Sequence, residues 1–465
     1  MPTIHIDFST PVGKIKPIHG VNGGPRTKVF TYDATDFFRE AGLPFSRLHD
    51  IEYPYGSGEF VDIHCVFPNS DADETDPASY NFGLTDAYIN AIREAGTEVI
   101  YRLGESIEHA PVKRHIHPPK DFAKWAHVCE HIIRHYNQGW AAGHHWDIRY
   151  WEIWNEPDLD AHSDPDNKKC WSGTIPQFFD FYETAAKHLK TCFPDLKIGG
   201  PALAGNFVWA GDFLRTMHDR NVPLDFFSWH RYTSDPLSFG TAARDFRKQM
   251  DDCGYPDAEM LLDEWNYMEN WGNQPPSFRK LVGMHGAAFC AASLIAMQHS
   301  PVDAAAYFEA DVIKEWCGLF EVEDMVIGSF DRNGPGRNRL RPRKPFYAFR
   351  AFNDLYRMGN EVFSESDEKT LFVCASSNGE KAGAMIAVYG ADDRTSYNMI
   401  RLSGLPEADC RITFRKTDET GDCTYVMQAT GTGRVCEVML PMRNNEIWEI
   451  KVNIQEPYAV FQVTD

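Results

Sequence analysis

The chain of 465 residues is 43% hydrophobic and 13% aromatic, which is the composition of a globular protein large enough for a barrel and a smaller second module. Its 46 Lys and Arg residues are outnumbered by 67 Asp and Glu residues. The resulting net charge of −21 argues against nucleic acid or an anionic membrane surface as the main partner. No apolar run approaches the ~20 residues that cross a membrane.

The cysteines and the N-terminus predict where the protein resides. There are 11 cysteines, an odd number, and most of them lie inside apolar runs without any C-x-x-C pair. This pattern predicts free, reduced thiols rather than a disulfide framework. The first residues contain neither the basic nor the apolar segment of a signal peptide, so we expect a cytoplasmic protein, provided that the given chain is the full-length product.

Most of the chain alternates between strands and helices. Residues 1–15 contain one strand that precedes this pattern, and it is expected to join a sheet formed by the far C-terminus. Eight further strands are predicted near residues 20, 47, 100, 152, 198, 228, 262 and 307. Helices are predicted between them at residues 33–41, 84–95, 122–136, 176–190, 213–220, 241–253 and 278–299. Such strands are parallel with right-handed crossovers, so residues 16–358 are predicted to form a (β/α)8 TIM barrel.

The last part of the chain has a different pattern. Residues 359–465 contain short strands separated by Gly, Asp and Asn turns, the last of them at residues 459–463. This pattern predicts an accessory antiparallel β-sandwich packed on the barrel of an α/β protein. Residues 51–80, rich in Tyr, Asp, Pro and Gly, are interpreted as a loop over the barrel mouth or, alternatively, as a solvated insertion.

The fourth predicted barrel strand ends in a carboxylate and an amide. Residues 148–159 contain Asn155, Glu156 and Pro157 after an apolar run that includes Trp151 and Trp154. Proline cannot donate to a sheet, so the strand should end there. A carboxylic acid can protonate a glycosidic oxygen, an amide can bind a sugar hydroxyl, and indole faces can pack on a sugar ring. Taken alone, the motif fits a capped strand-to-loop exit equally well.

A second glutamate occupies an equivalent position downstream. Residues 259–267 form a short apolar strand that runs into Glu264, with Trp265 directly after it. Two strand-end glutamates, each beside a tryptophan, favour a glycosidase. Because strand C-termini of a (β/α)8 barrel meet at one mouth, both carboxylates should face the same cavity.

Other polar side chains end barrel strands and should face that cavity too. The second strand ends in Arg47 and His49, and the sixth ends in His230 and Tyr232. The residues that follow the eighth strand include two more acids, Glu309 and Asp311.

Several histidine pairs and glycine clusters do not predict a metal or cofactor site. His131 and His135 have helical i, i+4 spacing but lack the glutamate of H-E-x-x-H. His144-His145 and His115-x-His117 have no third ligand at a recognisable spacing. The glycines near residue 20 do not match G-x-G-x-x-G. We therefore expect no metal and no cofactor.

These motifs together resemble glycoside hydrolase family 39, within the large clan of retaining (β/α)8 glycosidases. The family includes β-xylosidases and α-L-iduronidases. The stretch Trp-Glu-Ile-Trp-Asn-Glu-Pro resembles its acid/base motif, and Asp-Glu-Trp-Asn resembles its nucleophile motif. Arg-Leu-His at 47–49, His-Arg-Tyr at 230–232 and Arg-Lys-Pro-Phe-Tyr at 343–347 resemble further family segments. Asp50 and the stretch 308–311 depart from the family pattern, and both can retune which sugar fits.

The resemblance implies Glu156 as acid/base and Glu264 as nucleophile of a covalent double displacement. We expect Trp151 and Trp154 to desolvate Glu156, and Arg47 and Tyr232 to stabilise the Glu264 anion. The substrate-binding residues are then predicted to be Arg47, His49, Asn155, His230, Tyr232, Trp265, Glu309 and Asp311.

The expected function is a retaining, exo-acting, β-xylosidase-like glycosidase acting on plant-type oligosaccharides or glycosides. Another clan activity (on glucosides, arabinosides or uronides) and a non-catalytic carbohydrate-binding protein are the alternatives. A homo-oligomer is compatible with the family.

Overall fold

The computed structural model describes residues 1–25, 33–51, 60–161, 163–164, 167–310, 316–324 and 339–453. Asp311, part of the insertion at 51–80 and the predicted strand at 459–463 lie outside these residues. All 11 cysteines are among the described residues and are free, as the sequence predicted.

Eight parallel strands close into a barrel, which confirms the predicted (β/α)8 architecture. In chain order these strands are β2 (Gly20–Asn22), β3 (Phe45–Leu48), β4 (Glu98–Leu103), β5 (Tyr150–Ile153), β6 (Lys197–Leu203), β7 (Phe226–Thr233), β8 (Glu259–Tyr267) and β9 (Ala304–Tyr307). The helices of the described residues are α1 (Thr35–Ala41), α2 (Ile63–Val66), α3 (Gly83–Glu94), α4 (Phe122–Gln138), α5 (Ile175–Cys192), α6 (Phe207–Asp219), α7 (Leu237–Asp252), α8 (Pro275–Leu281), α9 (Met284–Gln298) and α10 (Phe346–Met358).

Local sequence signals explain where the clearest helices begin and end. The Asp121 side chain accepts a hydrogen bond from the Lys124 backbone and starts α4, and Gly139, with φ 73°, ends it. A capping box between Thr174 and Gln177 starts α5. Helix α6 begins six residues before the predicted start, because Asn206 caps it by accepting a hydrogen bond from the backbone of Trp209.

One predicted helix is two helices. The sequence predicted continuous helix over residues 278–299, but α8 and α9 meet at an angle of 76°. Gly283 has an extended backbone (φ −102°, ψ −163°) that interrupts the helix. A Cβ atom at Gly286 would lie 1.9 Å from the carbonyl oxygen of Leu281, so the tight packing of the two helices requires glycine there. Among the described residues, no single helix is long and apolar enough to cross a membrane, and only the bent α8–α9 pair meets that criterion as a unit.

The accessory module is one nine-stranded sheet. Its order is β17-β16-β19-β14-β13-β12-β1-β15-β18. Its strands are β1 (Thr3–Lys14), β12 (Asn360–Ser366), β13 (Leu371–Ser377), β14 (Ala382–Val388), β15 (Ser396–Ser403), β16 (Arg411–Asp418), β17 (Gly421–Thr430), β18 (Cys436–Met442) and β19 (Glu446–Val452). A separate hairpin pairs β10 (Phe320–Asp324) with β11 (Arg339–Pro342).

The sheet curls over its own hydrophobic core, as expected of a sandwich. Its two edge strands, β17 and β18, contact each other, and the enclosed core includes Ile6, Ile386, Phe414 and Leu440. The first strand, β1, lies between β12 and β15, antiparallel to β12 and parallel to β15. The module packs on the barrel through α9 and α10, which contact β13 and β14.

The barrel interior determines which end is open to a substrate. Six apolar side chains near the N-terminal ends of the strands form a separate buried cluster: Phe45, Ile100, Tyr150, Phe226, Leu261 and Ala304. They fill that end of the barrel. The polar side chains therefore gather at the C-terminal ends of the strands, where barrel active sites lie.

Candidate active site

Two glutamates from distant parts of the chain face each other at the barrel mouth. Glu156 follows β5 and Glu264 lies on β8. The ring nitrogen Nδ1 of His230, on β7, lies 2.8 Å from Oε1 of Glu156 and 3.6 Å from Oε2 of Glu264. One carboxylate oxygen of each glutamate lies within 4.8 Å of the other. The structure thus brings together the two carboxylates that the sequence singled out.

The backbone around Glu156 is strained. Trp154 has φ 75° and Glu156 has φ 47°, in the left-handed region that costs a non-glycine residue about 1 to 3 kcal/mol. The backbone N–H of Glu156 donates to the carbonyl of Ala202 on β6 at 2.8 Å. Asp158 accepts hydrogen bonds from the backbone of the loop that follows β6, at Ala204 and Asn206. These contacts hold Glu156 in a conformation that its own backbone disfavours.

Arg47 connects the two strands that carry the glutamates. Its Nη1 lies 3.3 Å from Oε2 of Glu264 and donates to Oδ1 of Asn22 at 3.2 Å. Its Nη2 donates to Oδ1 of Asn155 at 2.8 Å, which leaves the Asn155 amide nitrogen buried with no hydrogen-bond partner in the described part of the chain. Asn155 is therefore oriented with two N–H donors available for a substrate oxygen.

Two buried acids that the sequence analysis did not assign contact the Nε atom of Arg47. Its Nε lies 2.7 Å from Glu152 and 3.0 Å from Asp263, and all three side chains are fully buried. Burial acts to raise the pKa of Glu152, but the charge of Arg47 and hydrogen bonds from Asp263, Ser228 and Arg47 together lower it. The pKa of Asp263 is raised well above its usual range by burial and by the nearby Glu152. The two shifts run in opposite directions, so the pair favours the proton on Asp263 and the negative charge on Glu152.

A β-bulge explains how neighbouring Asp263 and Glu264 both face the interior. Leu262 pairs with Trp229 and Glu264 pairs with His230, so Asp263 is an extra residue on β8. A regular strand would turn one of the two outward. A signal was present in the sequence, because Glu152 and Asp263 are charged residues inside apolar runs and buried charges need partners.

The pKa values differ in the way that acid/base chemistry requires. Burial, with smaller contributions from Asp50 and Asp160, raises the pKa of Glu156 to about 8 against the opposing charge of Arg47. Burial also raises the pKa of Glu264, but the charge of Arg47 and the Tyr232 hydroxyl oppose this rise. Burial lowers the pKa of His230 to about 4, so the imidazole is neutral at neutral pH.

Two other predicted residues lie at the carboxylates. The Tyr232 hydroxyl donates to Oε1 of Glu264 at 2.5 Å, and the exposed ring of Trp271 packs edge-on against the Tyr232 ring with centroids 4.9 Å apart. Nε2 of His49 lies 3.8 Å from Oε2 of Glu264 and 3.3 Å from Oδ1 of Asp50.

Trp265 does not line the cavity. Its ring is fully buried on the outside of the barrel wall and packs against Phe239, Tyr307 and Phe349. Because Glu264 points inward, the next side chain on the strand points to the helices. The prediction that Trp265 binds substrate is therefore wrong.

The tryptophans near Glu156 are not platforms for a sugar ring either. Trp151 stacks on Tyr101 and donates to the carbonyl of Ile148, whereas Trp154 packs against Trp171 and donates to the carbonyl of Cys170. Trp271 is the aromatic ring beside Tyr232 at the site.

Two predicted binding residues, Glu309 and Asp311, follow β9. Glu309 is fully buried at the end of that strand, where the backbone of Ala310 donates to the carbonyl of Asn22 at 2.9 Å. Its role in substrate binding stays a prediction. Asp311 lies outside the described residues.

The same constellation bears on metal binding. Glu156, His230 and Glu264 are close enough to share a metal ion. However, the guanidinium of Arg47 already supplies positive charge 3.3 Å from Glu264, which opposes a second cation there. The donor set fits sugar chemistry better than a metal centre.

The described part of the insertion is attached to the mouth. The Ile63 backbone donates to the carbonyl of Gly104 at 3.0 Å, and His64 donates from its backbone to Glu105, at the end of β4. The Nδ1 atom of His64 also contacts Glu105. Residues 60–66 therefore lie beside the strand ends that carry the site.

Comparisons with known proteins identify one matching family and several similar proteins. The family model described as "Glycosyl hydrolases family 39" matches residues 4–387. A β-xylosidase of Geobacillus stearothermophilus is 35% identical over 125 residues, 26% of this chain and 23% of that protein. A β-xylosidase of Caldicellulosiruptor saccharolyticus is 26% identical over 277 residues, 55% of this chain and 53% of that protein. The matched segments therefore span about a quarter and about half of these relatives.

A solved structure shows a similar overall fold. The structure of a glucosidase from Croceicoccus marinus covers 98% of this chain and 100% of its own, with a TM-score of 0.79 and 23% identity. At this identity, the likeness concerns the fold, in which a barrel and an accessory sheet form one chain.

Proposed function

Because the chain belongs to the glycosyl hydrolases of family 39, we propose that this glycoside hydrolase is a retaining, exo-acting β-xylosidase. The observation that carries the proposal is the approach of the Glu156 and Glu264 carboxylates to within 4.8 Å across the His230 ring nitrogen. Retaining glycosidases hold their carboxyl groups about 5 to 5.5 Å apart, whereas inverting enzymes need about 6.5 to 9.5 Å to admit a water molecule.

In the proposed first step, a carboxylate oxygen of Glu264 attacks the anomeric carbon and forms a covalent ester. The bond between that carbon and the leaving oxygen breaks as the Glu156 proton moves to this oxygen. In the second step, Glu156 accepts a proton from water while the water oxygen bonds to the anomeric carbon. The ester bond to Glu264 breaks as this bond forms, which releases the Glu264 carboxylate, and the sugar leaves with its original anomeric configuration.

The environments of the two glutamates support these roles. A pKa of about 8 keeps Glu156 protonated at neutral pH, as a general acid requires. Arg47 and Tyr232 each contact one oxygen of Glu264 and favour its anion, as a nucleophile requires.

The buried amide of Asn155 is suited to the hydroxyl next to the anomeric carbon. Arg47 occupies its oxygen, so the nitrogen faces the cavity as a donor. A hydrogen bond at that hydroxyl strengthens as positive charge develops on the sugar in the transition state. His49 is the proposed partner of a neighbouring hydroxyl.

The xyloside assignment and exo action have separate support. Both relatives described above are named β-xylosidases. Residues 60–66 are fixed beside the strand ends, which favours a pocket walled on that side over an open groove.

One observation favours a second candidate, a β-glucosidase. Asp50 departs from the family pattern and lies 3.3 Å from His49, where an added carboxylate can bind a further hydroxyl.

The decisive experiment is hydrolysis of aryl glycosides followed by NMR of the anomeric proton. The parent should release the sugar with retained configuration. Glu264→Ala should lose about 10^4-fold or more in turnover. Added azide should restore turnover of this variant, with a glycosyl azide of inverted configuration as the product. Glu156→Ala should be slow on poor leaving groups and much faster on activated ones.

A panel of xyloside, glucoside, arabinoside and uronide substrates then ranks the candidate sugars. Inverted product from the parent, or parent-like turnover by both variants, would overturn the mechanism. Release of internal oligomers from a polysaccharide would overturn exo action.

A further inference from the structure

Three metal-ligating side chains meet in the helical layer outside the barrel. Asp86 lies in the first turn of α3, His135 lies in the last turn of α4, and His144 lies in the loop that leads to β5. One ligand atom of each lies within 4.8 Å of the others. Sequence spacing gives neither histidine a third ligand, whereas the fold supplies Asp86 from a neighbouring helix.

The hydrogen bonds of His135 determine which of its nitrogens faces the cluster. Its Nδ1 lies 2.9 Å from the carbonyl oxygen of Trp140. A carbonyl can only accept, so Nδ1 carries a proton and the lone pair of the neutral ring is on Nε2. Nε2 lies 3.0 Å from Oδ1 of Asp86, which is also an acceptor. A proton shared by the two atoms, or a metal ion, must therefore lie between them.

His144 distinguishes these two possibilities. Its Nε2 is buried, has no hydrogen-bond partner in the described part of the chain, and lies 3.7 Å from Oδ2 of Asp86. A proton between His135 and Asp86 leaves this nitrogen unsatisfied, whereas a metal ion takes all three ligands. Zinc bonds of about 2.0 to 2.1 Å in a tetrahedron place neighbouring ligand atoms about 3.3 Å apart. The observed distances lie on either side of that value and end on the two oxygens of the same carboxylate: 3.0 Å from His135 Nε2 to Oδ1 and 3.7 Å from His144 Nε2 to Oδ2.

The cluster is held in place by its surroundings. The His135 ring stacks on Phe82 with centroids 3.6 Å apart, and the His144 ring stacks on Trp146 with centroids 3.7 Å apart. A Cβ atom at Gly143 would lie 2.1 Å from the carbonyl oxygen of His135, so the loop approaches α4 closely only with glycine there. In the ion pairs of the described residues, Asp86 has the two histidines as its partners. Fixed rings and a carboxylate without a Lys or Arg partner make a preorganised cation site.

We propose that Asp86, His135 and His144 bind one Zn²⁺ ion, with water completing the tetrahedron. Two imidazoles and a carboxylate are the donor set that suits zinc. The ion joins α3 and α4 to the loop before β5, and its role is structural rather than catalytic.

The test uses the full chain without a purification tag, titrated with ZnCl2 by calorimetry after EDTA treatment and desalting. The parent should bind one Zn²⁺ per chain with a higher melting temperature than in EDTA. His144→Ala and Asp86→Asn should weaken binding at least about 100-fold. His145→Ala, in the same loop, and His188→Ala, in a separate cluster with His127 and Glu130, should bind as the parent does.

Melting of each variant in EDTA separates loss of the ligand from loss of the fold. His144→Ala should melt in EDTA near the parent in EDTA. The proposal is overturned if the parent binds no zinc, since His135 and Asp86 then form a hydrogen-bonded ion pair. It is also overturned if His144→Ala binds zinc like the parent, or if His188→Ala abolishes the binding.

Discussion

The hydroxyl of Tyr232 donates a hydrogen bond to Oε1 of Glu264 across 2.5 Å. The other oxygen of Glu264 faces the Arg47 guanidinium at 3.3 Å, so both oxygens of the proposed nucleophile are positioned. Removing the hydroxyl takes away the hydrogen bond to Oε1 and leaves the contact between Oε2 and Arg47 in place.

Tyr232→Phe should therefore reduce kcat/KM without unfolding the protein. A hydrogen bond to an ionised group contributes about 1.5 to 3 kcal/mol, which corresponds to a loss of about 10- to 150-fold. The matched control is Tyr267→Phe, since Tyr267 also donates to a glutamate, Glu269, at 2.6 Å. Steady-state kinetics should show a small effect for the control. Equal losses of kcat/KM in both variants would contradict a specific role of the Tyr232 hydroxyl at Glu264.

The pH profile should report the raised pKa of Glu156. The general acid must be protonated, so kcat/KM should fall as the pH rises through about 8. The nucleophile must be ionised, so activity should also fall at low pH, with a midpoint above that of an ordinary carboxyl group because burial raises the pKa of Glu264. In Glu156→Ala, assayed on an activated aryl glycoside, the alkaline fall should disappear. Its persistence would assign that ionisation to another group.

The same pKa predicts how stability changes with pH. The folded chain holds the Glu156 proton more tightly than the unfolded chain, so this group lowers stability as the pH rises from the ordinary value of 4.5 to about 8. Glu156→Gln removes the ionisation. The variant should match the parent at pH 4 and exceed it at pH 8 by on the order of 2 to 4 kcal/mol. Urea unfolding at both pH values measures this, and a parallel shift at both would contradict it.

The sequence was sufficient to predict which side chains would meet wherever one rule of barrel geometry decides their position. Glu264, His230 and Arg47 lie in the C-terminal halves of their strands and Glu156 follows β5, and the C-terminal ends of parallel barrel strands share one mouth. The wrong prediction for Trp265 came from proximity in sequence to Glu264, although alternation along a strand turns neighbouring side chains to opposite faces.

Other features depend on tertiary contacts that no local pattern contains. The bulge that turns Asp263 inward is visible only in the pairing of β8 with β7. The break between α8 and α9 occurs in a small-residue stretch that fits helical periodicity, and it depends on how Gly286 packs against Leu281. The convergence of Asp86 with His135 and His144 needs two helices and a loop in register.

Two tryptophans with opposite placements test the corrected site. Trp265→Phe shrinks a fully buried ring and should cost about 1 to 3 kcal/mol of stability, with KM within about twofold of the parent. Trp271 is 53% exposed beside Tyr232, so Trp271→Ala should raise KM about 10-fold with stability within about 0.5 kcal/mol. Thermal melts and kinetics on both variants decide. A raised KM for Trp265→Phe alone would restore the original prediction.

The two carboxyl groups at the Arg47 Nε should contribute unequally to stability, and neutral substitutions of the same shape should show the difference. Glu152 pairs with the Arg47 Nε at 2.7 Å and its lowered pKa favours the anion, whereas the raised pKa of Asp263 favours the protonated carboxyl group. Glu152→Gln therefore leaves a buried arginine with less compensation and should cost about 3 to 5 kcal/mol.

Because the raised pKa of Asp263 favours its protonated form, Asp263→Asn should change the local charge less and should cost less than about 1.5 kcal/mol. Denaturant unfolding at pH 7 compares the two variants. If Asp263→Asn proved the more damaging, the proton would belong to Glu152, and Asp263 would be the anion that holds Arg47 against Glu264.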